Sequence, residues 1–514
     1  MRRACDQAIG SQDHDRPHGD LVLSVILPGP FDAALASPMG SRWEGLVAAR
    51  AGAAPLDLPP PFRPLTATAT GVEFWSHAVT EARGKYVLFY SGQGRLASEA
   101  CLWVLRAIEA FPDAVAFYSD EDRVDAQGAH TSPWFKPAFD PDLLPGLAFT
   151  SGLLVLRKDA VQAAGGLSGK DPEAALHDLT MRLAAQFPIS AFVHIPRVLF
   201  HRKDPPAAAD PERVNAVLAQ VGSPARVQAH PEGHADRLRV VWPREPSKPL
   251  VSILIATRDR VDLVRACLES ITKRTDYAHL EILVADNGSE QPETLQYLET
   301  WARETPDAKV LRLDGPFNFS ALNNALAEKA RGEFLVMMNN DIEVLSPDWI
   351  DEMMSLCRRP DIGAVGARLW YPNNTIQHAG TGLESGGPAH RFVGLARHET
   401  DSDGRAVLVH RPLAVTAAVL MVRASAWEAV HGLDPGFAVD YGDVDFCLRL
   451  NAAGFATLYT PFAEFLHHES ASRGLNDSPE KKLRFSKDQT RFFQRWPAKR
   501  VDDPSSSPNA DLCF

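Results

Sequence analysis

The sequence predicts an α/β protein built on parallel sheets. In its second half, two apolar segments, 251–255 and 281–284, flank an amphipathic segment, 263–271, which is the spacing of a strand–helix–strand unit. Such a unit sets its strands parallel, with a right-handed crossover. Residues 334–338 are apolar on both faces, as expected of a strand inside a parallel sheet. A chain of 514 residues exceeds one ordinary core, which predicts two or three domains.

Composition and charge narrow the class of protein. With 45% hydrophobic and 23% charged residues, the chain resembles soluble globular proteins. Its formal net charge of -12 argues against a broad electrostatic contact with nucleic acid, and we expect no nucleic-acid partner. No segment is apolar over the length that crosses a bilayer, and residues 1–20 lack the apolar core of a signal peptide. We therefore expect a cytoplasmic protein that could contact the inner membrane peripherally.

The first half contains regular elements separated by irregular stretches. Residues 21–27 predict an opening strand, whereas residues 28–70 are rich in Ala and Pro with little periodicity and predict no regular structure. Further along, helices are predicted over 72–82, 97–110 and 178–185, and strands over 86–90, 114–118, 153–156 and 194–200.

An acidic cluster follows the predicted strand 114–118. Asp120, Glu121 and Asp122 stand there in a row, with Asp125 beyond them. Carboxylates in such a group suit a metal ion, but no second ligand group is evident in the sequence. A metal site and a solvated acidic turn both stay open as interpretations.

In the second half, polar residues follow the carboxyl ends of the predicted strands. They are Thr257-Arg258-Asp259, Asp286-Asn287 and Asn339-Asn340-Asp341. Parallel strands carry these ends on one sheet edge, where open α/β sheets bind ligands. A carboxylate there, with an amide two residues earlier, suits a hard divalent cation that holds a diphosphate, and a plain polar turn is the alternative. No Gly-x-Gly-x-x-Gly or Gly-Lys-Ser/Thr motif follows these strands, which disfavours dinucleotide and P-loop sites.

Residues 250 to about 475 contain a series of motifs. The motifs are Thr257-Arg258-Asp259-Arg260, Asp286-Asn287-Gly288-Ser289, Phe317-Asn318-Phe319-Ser320 with Asn323-Asn324, Asn339-Asn340-Asp341, Thr416-Ala417-Ala418, Asp443-Val444-Asp445 and His467-His468-Glu469-Ser470-Ala471-Ser472. Each motif is weak alone, and their order and spacing make the set specific. In these motifs the segment resembles a family 2 glycosyltransferase of the nucleotide-sugar-dependent GT-A type.

The resemblance implies a nucleoside-diphosphate sugar as donor and a divalent cation, Mn²⁺ or Mg²⁺, as cofactor. Asn339 and Asp341 stand where the family carries its Asp-x-Asp motif, so Asp341 is the surer metal ligand. Asn339 and His467 would be further ligands, and His468 could substitute for His467. Thr257 and Asp286 would flank the donor's base. The residues implied at the donor site are Thr257, Arg258, Asp259, Asp286, Asn287, Asn318, Asn323, Asn339 and Asn340, with a helix cap as the alternative role of Asn318.

Asp443 aligns with the family's general base, which takes the acceptor's hydroxyl proton while that oxygen attacks the anomeric carbon, so that the configuration inverts. Family members often have an acidic residue just before this aspartate, where this chain has Gly442. Asp445, which could instead cap a helix over 446–453, is a structural competitor. The acceptor side, or else a plain surface loop, would include Trp370, Gln377, His378, Arg391 and Arg397.

The first half resembles the amino-terminal unit of tandem family 2 enzymes, in segments 118–122 and 194–198 among others. It differs from these enzymes at the positions of the metal motif and of the catalytic aspartate. Ser91-Gly92-Gln93 occupies the place of the metal motif, and Leu176-His177-Asp178 that of the catalytic aspartate. We expect a truncated, degenerate GT-A-like copy that transfers no sugar and that docks, binds glycan or stabilises its partner.

The expected organisation is a disordered tail (1–20), the degenerate GT-A-like domain (21–203), a structured linker (204–249), the catalytic GT-A domain (250–497) and a polar tail (498–514). The expected function is metal-dependent, inverting transfer of a sugar to a saccharide or lipid-linked glycan, in surface polysaccharide synthesis. A non-catalytic carbohydrate-binding or scaffold protein of the same ancestry is the alternative. A sugar nucleotidyltransferase is disfavoured because the first strand lacks a Gly-rich loop after it.

Overall fold

The computed structural model describes residues 20–27, 42–50, 58–67, 70–90, 94–125, 127–203, 208–244, 246–384, 387–397, 399, 404–468, 479–497, 503–505, 507 and 509. The chain packs as two compact units. The first comprises Met1–Val240 with Ser506–Phe514, and the second Val241–Ser505. Both units combine mixed sheets with helices, so the predicted α/β class is confirmed.

The first unit contains strands β1 to β11 and helices α1 to α5 in its described part. The strands are β1 (Leu23–Leu27), β2 (Trp43–Arg50), β3 (Phe62–Ala67), β4 (Tyr86–Tyr90), β5 (Gly94–Leu96), β6 (Ala116–Val124), β7 (His130–Trp134), β8 (Leu153–Arg157), β9 (Phe192–Arg202), β10 (Arg226–Ala229) and β11 (Leu238–Val241). The helices are α1 (Val72–Glu81), α2 (Ala100–Ala110), α3 (Lys158–Ala163), α4 (Pro172–Ala184) and α5 (Pro211–Gln220).

The second unit continues with strands β12 to β22 and helices α6 to α12. The strands are β12 (Val251–Thr257), β13 (Leu280–Asp286), β14 (Ala308–Arg312), β15 (Phe334–Asn339), β16 (Ile342–Val344), β17 (Ile362–Trp370), β18 (Ile376–His378), β19 (Thr381–Glu384), β20 (Gly387–His390), β21 (Val419–Arg423) and β22 (Ala456–His467). The helices are α6 (Val261–Arg274), α7 (Pro292–Glu304), α8 (Phe319–Ala327), α9 (Trp349–Cys357), α10 (Ala424–Ala429), α11 (Gly442–Ala452) and α12 (Pro479–Arg495). None of the helices in the described ranges is both long enough and apolar enough to cross a membrane.

The main sheets of the two units have the same strand order. The first reads β3-β2-β1-β4-β8-β6-β9-β5 with β7 on β6, and the second reads β14-β13-β12-β15-β21-β17-β22-β16 with β18 on β17. Strand directions agree as well: β1 and β12 run parallel to both neighbours, whereas β8 and β21 run antiparallel to theirs. The chain therefore contains an internal structural repeat.

A buried polar node recurs at the same place in both sheets. In the second unit, Ser252 Oγ donates to the Glu281 carboxylate at 2.6 Å and accepts from the backbone N–H of Gly332 at 2.8 Å. Arg331 Nε donates to the Glu281 carboxylate at 2.8 Å as well. The first unit repeats this arrangement with Ser24, Glu44, Gly84 and Arg63, at 2.7 Å, 2.9 Å and 2.7 Å. A Cβ on Gly332 would lie 2.5 Å from Ser252 Oγ, so the close approach requires glycine. The repeat thus extends from topology to individual hydrogen bonds.

The prediction of no regular structure over residues 28–70 is wrong where the structure describes this segment. β2 and β3 lie there and extend the parallel part of the first sheet. Trp43 and Leu46 are buried, and the charged Glu44 is satisfied within the node. The high Ala and Pro content of the surrounding sequence masked these two short buried strands.

His177 of α4 generates a prediction about stability. Its Nε2–H donates to the carbonyl of Leu144 at 2.8 Å, and its Nδ1 accepts from Arg213 at 3.3 Å, so the ring is neutral. Burial lowers the pKa of His177 to about 4. The unfolded ring binds a proton near its usual pKa of about 6.5, so stability is lost as the pH falls from about 6.5 towards 4.

We expect His177 alone to lower the free energy of unfolding by about 2 kcal/mol at pH 5 relative to pH 7.5. Urea unfolding of the wild type and of His177→Gln at both pH values measures this. Gln keeps a donor for Leu144 and cannot titrate, so its pH dependence should be shallower. His77→Gln, at an exposed position of α1, is the matched control and should behave as wild type. Equal slopes for wild type and His177→Gln would refute the prediction.

Candidate functional site

The register of the parallel strands gathers several predicted residues at one sheet edge. Thr257 pairs with Asp286 across β12 and β13, and Ala256 pairs with Asn339 across β12 and β15. Asn340 Nδ2 donates to Thr257 Oγ1 at 2.9 Å, and both side chains are buried. The three polar segments at the ends of these strands are therefore neighbours, as expected from a parallel sheet.

Asp286 and Asn287 form a buried polar group at the end of β13. One carboxylate oxygen of Asp286 accepts from the N–H of Ser289 at 2.9 Å, and the other pairs with Arg312 at 2.7 Å. Asn287 Nδ2 donates to the carbonyl of Leu313 at 2.8 Å, while its buried Oδ1 has no hydrogen-bond partner among the described residues. This oxygen can accept a hydrogen bond from a ligand. Sequence reasoning missed Arg312, although it ends β14 opposite Asp286.

The segment Arg258-Asp259-Arg260 braces two loops. Asp259 and Arg260 both have φ of 52°, in the left-handed region. One oxygen of Asp259 accepts from the N–H groups of Glu290 and Gln291 at 2.8 and 2.9 Å. Asp259 thus connects the turn after β12 to the start of α7. The side chain of Arg258 is half-exposed, and its guanidinium lies 3.6 Å from the carboxylate of Glu290. Of these two, Arg258 has the freer side chain.

The predicted metal ligands lie together. His467 Nε2 is 3.2 Å from Asp341 Oδ1 and 3.4 Å from Asn339 Nδ2. Asp341 is 4% exposed and His467 is 6% exposed, so the group is largely shielded from water. The pairing of Ile342 in β16 with His467 in β22 brings these residues together across more than a hundred residues of sequence.

Gln377 fixes the orientation of the His467 ring. Its side-chain oxygen lies 2.9 Å from His467 Nδ1 and is assigned as acceptor, which places the proton on Nδ1 and leaves the Nε2 lone pair facing Asp341. His468 instead turns its Nε2 to Glu343, at 2.9 Å. Of the two histidines, the structure therefore brings His467 to the predicted metal ligands.

This donor set suits a divalent cation such as Mn²⁺. It combines a buried carboxylate with an imidazole whose free lone pair is directed toward it and with an amide that can offer its oxygen after a flip. The outer hydrogen bond from Gln377 is of the kind that orients metal-ligating histidines. Asp341, His467 and Asn339 are the residues that would hold the ion.

Asp443 lies at the same sheet edge, in the first turn of α11. Its Oδ2 accepts from the N–H of Ala417 at 3.1 Å, and the next carbonyl, that of Ala418, accepts from the N–H of Asn339 at 3.0 Å. Asp443 is therefore linked through the backbone of Ala417 and Ala418 to Asn339, one of the predicted metal ligands. The carboxylate is only partly buried, so an acceptor hydroxyl can approach it.

Asp445 has a different role from Asp443. It is fully buried, and its carboxylate is bonded to Arg449 at 2.8 Å, Arg495 at 2.9 Å and the indole of Trp496 at 2.9 Å. These contacts tie α11 to the end of α12. Asp445 is therefore a structural anchor.

Asn318 and its neighbours shape the loop before Asp443. Asn318 Oδ1 caps α8 by accepting from Ala321 N at 2.9 Å, and its Nδ2 donates to the carbonyl of Pro435 at 2.8 Å. Asn324 makes two similar bonds to Leu433. Asn323 Nδ2 donates within α8, to the carbonyl of Phe319. The structure thus gives Asn318 the capping role, and none of these contacts brings it or Asn323 to the metal ligands.

The residues predicted for the acceptor side make separate contacts. Gln377 bonds His467, and the buried His378 accepts from the N–H of Thr416 at 3.4 Å. Arg391 lies 3.3 Å from Asp503.

Glu464 is the shared partner of the remaining predicted residues. Trp370 and Arg397, together with Arg368, all donate to one of its oxygens, each at 2.8 Å. Sequence reasoning did not single out Glu464, because its partners lie 67 to 96 residues earlier in the chain.

The acidic cluster of the first unit is not a solvated turn, because it belongs to β6 and is buried. Asp122 accepts from His130 at 2.8 Å and from His201 at 2.7 Å, and these ligand atoms lie close enough together to hold a metal ion. In the same cluster, His194 pairs with Asp120, and both Lys136 and Arg202 pair with Glu121. The two histidines near Asp122 were not recognised because neither adjoins the cluster in sequence.

In the first unit, ion pairs occupy the sheet edge that corresponds to the predicted metal ligands of the second unit. Arg202 pairs with Gly94 of β5 as His467 pairs with Ile342 of β16, so Arg202 occupies the position of His467. Its guanidinium bonds Glu121 at 2.9 Å and Glu173 at 2.8 Å. The predicted counterpart of the metal motif, Ser91-Gly92-Gln93, lies outside the described residues.

Glu173, and not the segment 176–178, stands where Asp443 stands in the second unit. It is the second residue of α4, as Asp443 is the second residue of α11. Asp178 lies further along α4 and pairs with Arg213. The first unit thus has a carboxylate at the helix position of Asp443, and this carboxylate is paired with Arg202.

Comparisons with known proteins agree with the motifs. The model of glycosyl transferase family 2 matches residues 252–400, which includes the sheet edge from Thr257 to Asp341. The uncharacterized protein y4gI of Sinorhizobium fredii is 36% identical over 449 residues, 85% of this chain and 49% of that protein. The O-antigen biosynthesis protein RfbC of Myxococcus xanthus is 34% identical over 472 residues, 87% of this chain and 36% of that protein.

A shorter relative aligns with less of the chain. The N-acetylglucosaminyl-diphospho-decaprenol L-rhamnosyltransferase of Mycobacterium tuberculosis is 24% identical over 246 residues, 44% of this chain and 77% of that protein. The chain spans less than half the length of the two more similar relatives, at 49% and 36%. The second unit therefore contains a glycosyl transferase family 2 region, residues 252–400, which includes the polar sheet edge.

Proposed function

We propose that the second unit transfers a sugar from a nucleoside-diphosphate donor to a saccharide or lipid-linked glycan, with inversion at the anomeric carbon. The observation that carries the proposal is the shared sheet edge of Asp443 with Asp341 and His467, connected through the backbone of Ala417 and Ala418. A base and a set of cation ligands at one edge are what such a transfer needs.

In the proposed mechanism, Asp443 accepts the proton of the acceptor hydroxyl as that oxygen attacks the anomeric carbon. The N–H of Ala417 holds one carboxylate oxygen and the N–H of Val444 holds the other, at 3.1 and 2.9 Å, and these two bonds fix the carboxylate in position for the acceptor. Thr257, Asp286 and Asn287 hold the nucleoside, the last through its unpaired Oδ1. A divalent cation bound by Asp341, His467 and Asn339 would offset the charge of the departing diphosphate.

The relatives support a role in building polysaccharide. One relative's name places it in O-antigen biosynthesis, and the name of another specifies rhamnosyl transfer to a diphospho-decaprenol-linked sugar. For this chain we propose a lipid-linked acceptor, a hexose or deoxyhexose donor and peripheral contact with the inner membrane. The first unit would transfer no sugar, because Arg202 and Glu173 pair where the second unit carries His467 and Asp443.

A non-catalytic glycan-binding protein is the alternative candidate. It would not require a partly exposed carboxylate that is held by two backbone N–H groups beside a shielded set of proposed cation ligands. A binding relic would more readily have acquired a cation at this position, as the first unit has with Arg202.

We expect Asp341→Ala and Asp443→Asn to separate donor binding from transfer. Asp341→Ala should weaken Mn²⁺-dependent donor binding at least tenfold, because a carboxylate ligand is lost. Asp443→Asn should leave donor binding within about twofold and lower the transfer rate by about 10²–10⁴-fold, because the base is lost. Calorimetry with a panel of nucleotide sugars and a transfer assay on the source organism's lipid-linked glycans measure both quantities.

The control for these variants is Asp361→Asn, at the opposite end of β17 from the site. Its carboxylate pairs with Arg359 and Arg411 at the surface, so donor binding and transfer should both stay within about twofold of wild type. Undiminished transfer by Asp443→Asn would remove the proposed base. Absence of metal-dependent donor binding by the wild type would remove the proposed function.

The role of Gln377 can be tested by a matched pair of substitutions. Gln377→Leu removes the acceptor for His467 Nδ1–H, and we expect the Mn²⁺ concentration needed for half-maximal donor binding to rise about 10–100-fold. Gln377→Glu keeps an acceptor oxygen and should stay within about threefold of wild type. Titration of Mn²⁺ at fixed donor concentration provides the measurement. A Leu variant that matches the Glu variant would show that Gln377 does not orient the ring.

A further inference from the structure

The first unit contains a cavity of about 500 Å³. Its wall includes the first turn of α4 with Asp171 and Ala174, the end of β7 with Trp134, and the start of α5 with Asp210 and Arg213. This volume lies in the range of cavities that enclose ligands of two or three rings. All lining residues belong to the first unit, so its fold alone forms the cavity.

The structural repeat relates this cavity to the acceptor side of the second unit. Glu173 on its wall is the counterpart of Asp443. Ser151, also on the wall, precedes β8 by two residues as Ala417 precedes β21, and the N–H of Ala417 holds Asp443. Trp134 belongs to β7, the counterpart of the strand that carries Gln377. The cavity therefore lies where an acceptor would lie in the catalytic unit.

The donor side of the same unit is closed by buried ion pairs. Lys136 and Arg202 both bond to Glu121 at 2.9 Å, and neither cation is more than 2% exposed. These ion pairs lie next to Glu173, at the position that corresponds to the proposed cation ligands of the second unit. A nucleoside diphosphate could not reach this position unless buried salt bridges were broken, at a cost of several kcal/mol.

The charge of the cavity wall also disfavours a diphosphate. Of its carboxylates, Glu173 is paired with Arg202, Asp178 with Arg213, and Asp236 lies 3.6 Å from Arg237, while His177 is neutral. Asp171 and Asp210, which cap helices, give the wall its remaining negative charge, and the cation of Lys170 is on an exposed side chain. An excess of negative charge in a partly enclosed space repels anionic ligands. Neutral molecules with many hydroxyl groups experience no such repulsion.

The wall offers the groups that bind such a molecule. Asp171 and Asp210 each use one oxygen to cap a helix, accepting from Ala174 N and from Arg213 N, and each keeps a second oxygen for a ligand hydroxyl. The half-buried indole of Trp134 presents an apolar surface on which the C–H face of a sugar ring can pack. Carboxylates beside an aromatic ring suit a polyol better than a purely apolar ligand.

We propose that the cavity of the first unit binds a neutral segment of the glycan that the second unit extends. The first unit would thus act as an acceptor-holding module, and this assignment rests on the proposed function. Its ligand class is an uncharged saccharide of two or three residues, held through hydroxyl groups and one stacked ring.

The test uses the full chain and oligosaccharides from mild acid hydrolysis of the source organism's surface polysaccharide, separated into neutral and acidic fractions by anion exchange. Calorimetry should detect binding of neutral trisaccharides and no binding of the acidic fraction. Ala174→Trp, in α4, and Ala208→Trp, in the segment before α5, each place a large side chain at the cavity wall and should each raise the Kd at least tenfold. Ala163→Trp, on the exposed surface of α3, is the matched control and should stay within twofold.

Thermal unfolding of each variant identifies any that fails to fold, and two independent plugging sites keep the test decisive. Plugging should also raise KM for long acceptors at least tenfold while leaving donor KM and donor hydrolysis unchanged. Absence of neutral binding by the wild type, equal binding by folded plugged variants, or a preference for the acidic fraction would overturn the inference. If the plugs abolish neutral binding but no sugar is transferred by the wild type, the cavity assignment stands and the proposed function falls.

Discussion

The parallel pairing of β12 with β13 and β15 is the constraint on which the rest of the second unit depends. In this register Thr257 pairs with Asp286, and Ala256 pairs with Asn339. A slip by one residue would turn the side chains of a strand to its other face and separate Thr257 from Asn340. The hydrogen bond from Ser252 to Glu281 lies in the same strand pair, and a slip would remove that bond from the buried carboxylate. Polar bonds near one end of the strands therefore secure the position of functional groups at the other.

The antiparallel strands complete the site by bringing in residues from far along the chain. β21 runs against β15, so its start lies beside the end of β15, and Ala418 reaches Asn339 there. β22 places His467 opposite Ile342. The parallel strands thus position Thr257, Asp286 and Asn339, and the antiparallel strands position His467 and the segment whose N–H at Ala417 holds Asp443. Both groups are positioned by backbone pairing, which is more rigid than a site held only by loops.

This division also explains what the sequence could and could not predict. Buried parallel strands appear as apolar runs with polar ends, so Thr257, Asp286 and Asp341 could be recognised and placed at one edge. The partner that orients His467 is Gln377, ninety residues away, and nothing local in the sequence links the two. Arg312 was missed for the opposite reason, since an arginine at the end of a short, partly exposed strand looks like an ordinary surface residue. In the first unit, a buried strand that carries Asp120, Glu121 and Asp122 breaks the apolar pattern, because its charges are compensated only by distant residues.

The two units show how one scaffold supports opposite electrostatic arrangements. In the second unit, the carboxylate of Asp341 faces a histidine and an amide, so the net charge at that position depends on what binds there. In the first unit, Arg202 occupies the position of His467, and a guanidinium cannot lose its proton in a protein. Removing Arg202 would leave Glu121 with Lys136 alone, and a buried charge that loses a partner costs about 3–5 kcal/mol. No single substitution can therefore create at this position a ligand set like that of Asp341 and His467, because Glu121, Lys136 and Arg202 would have to change together. The buried serine–glutamate node carries no such functional charge, which is why both units could retain it while their sites diverged.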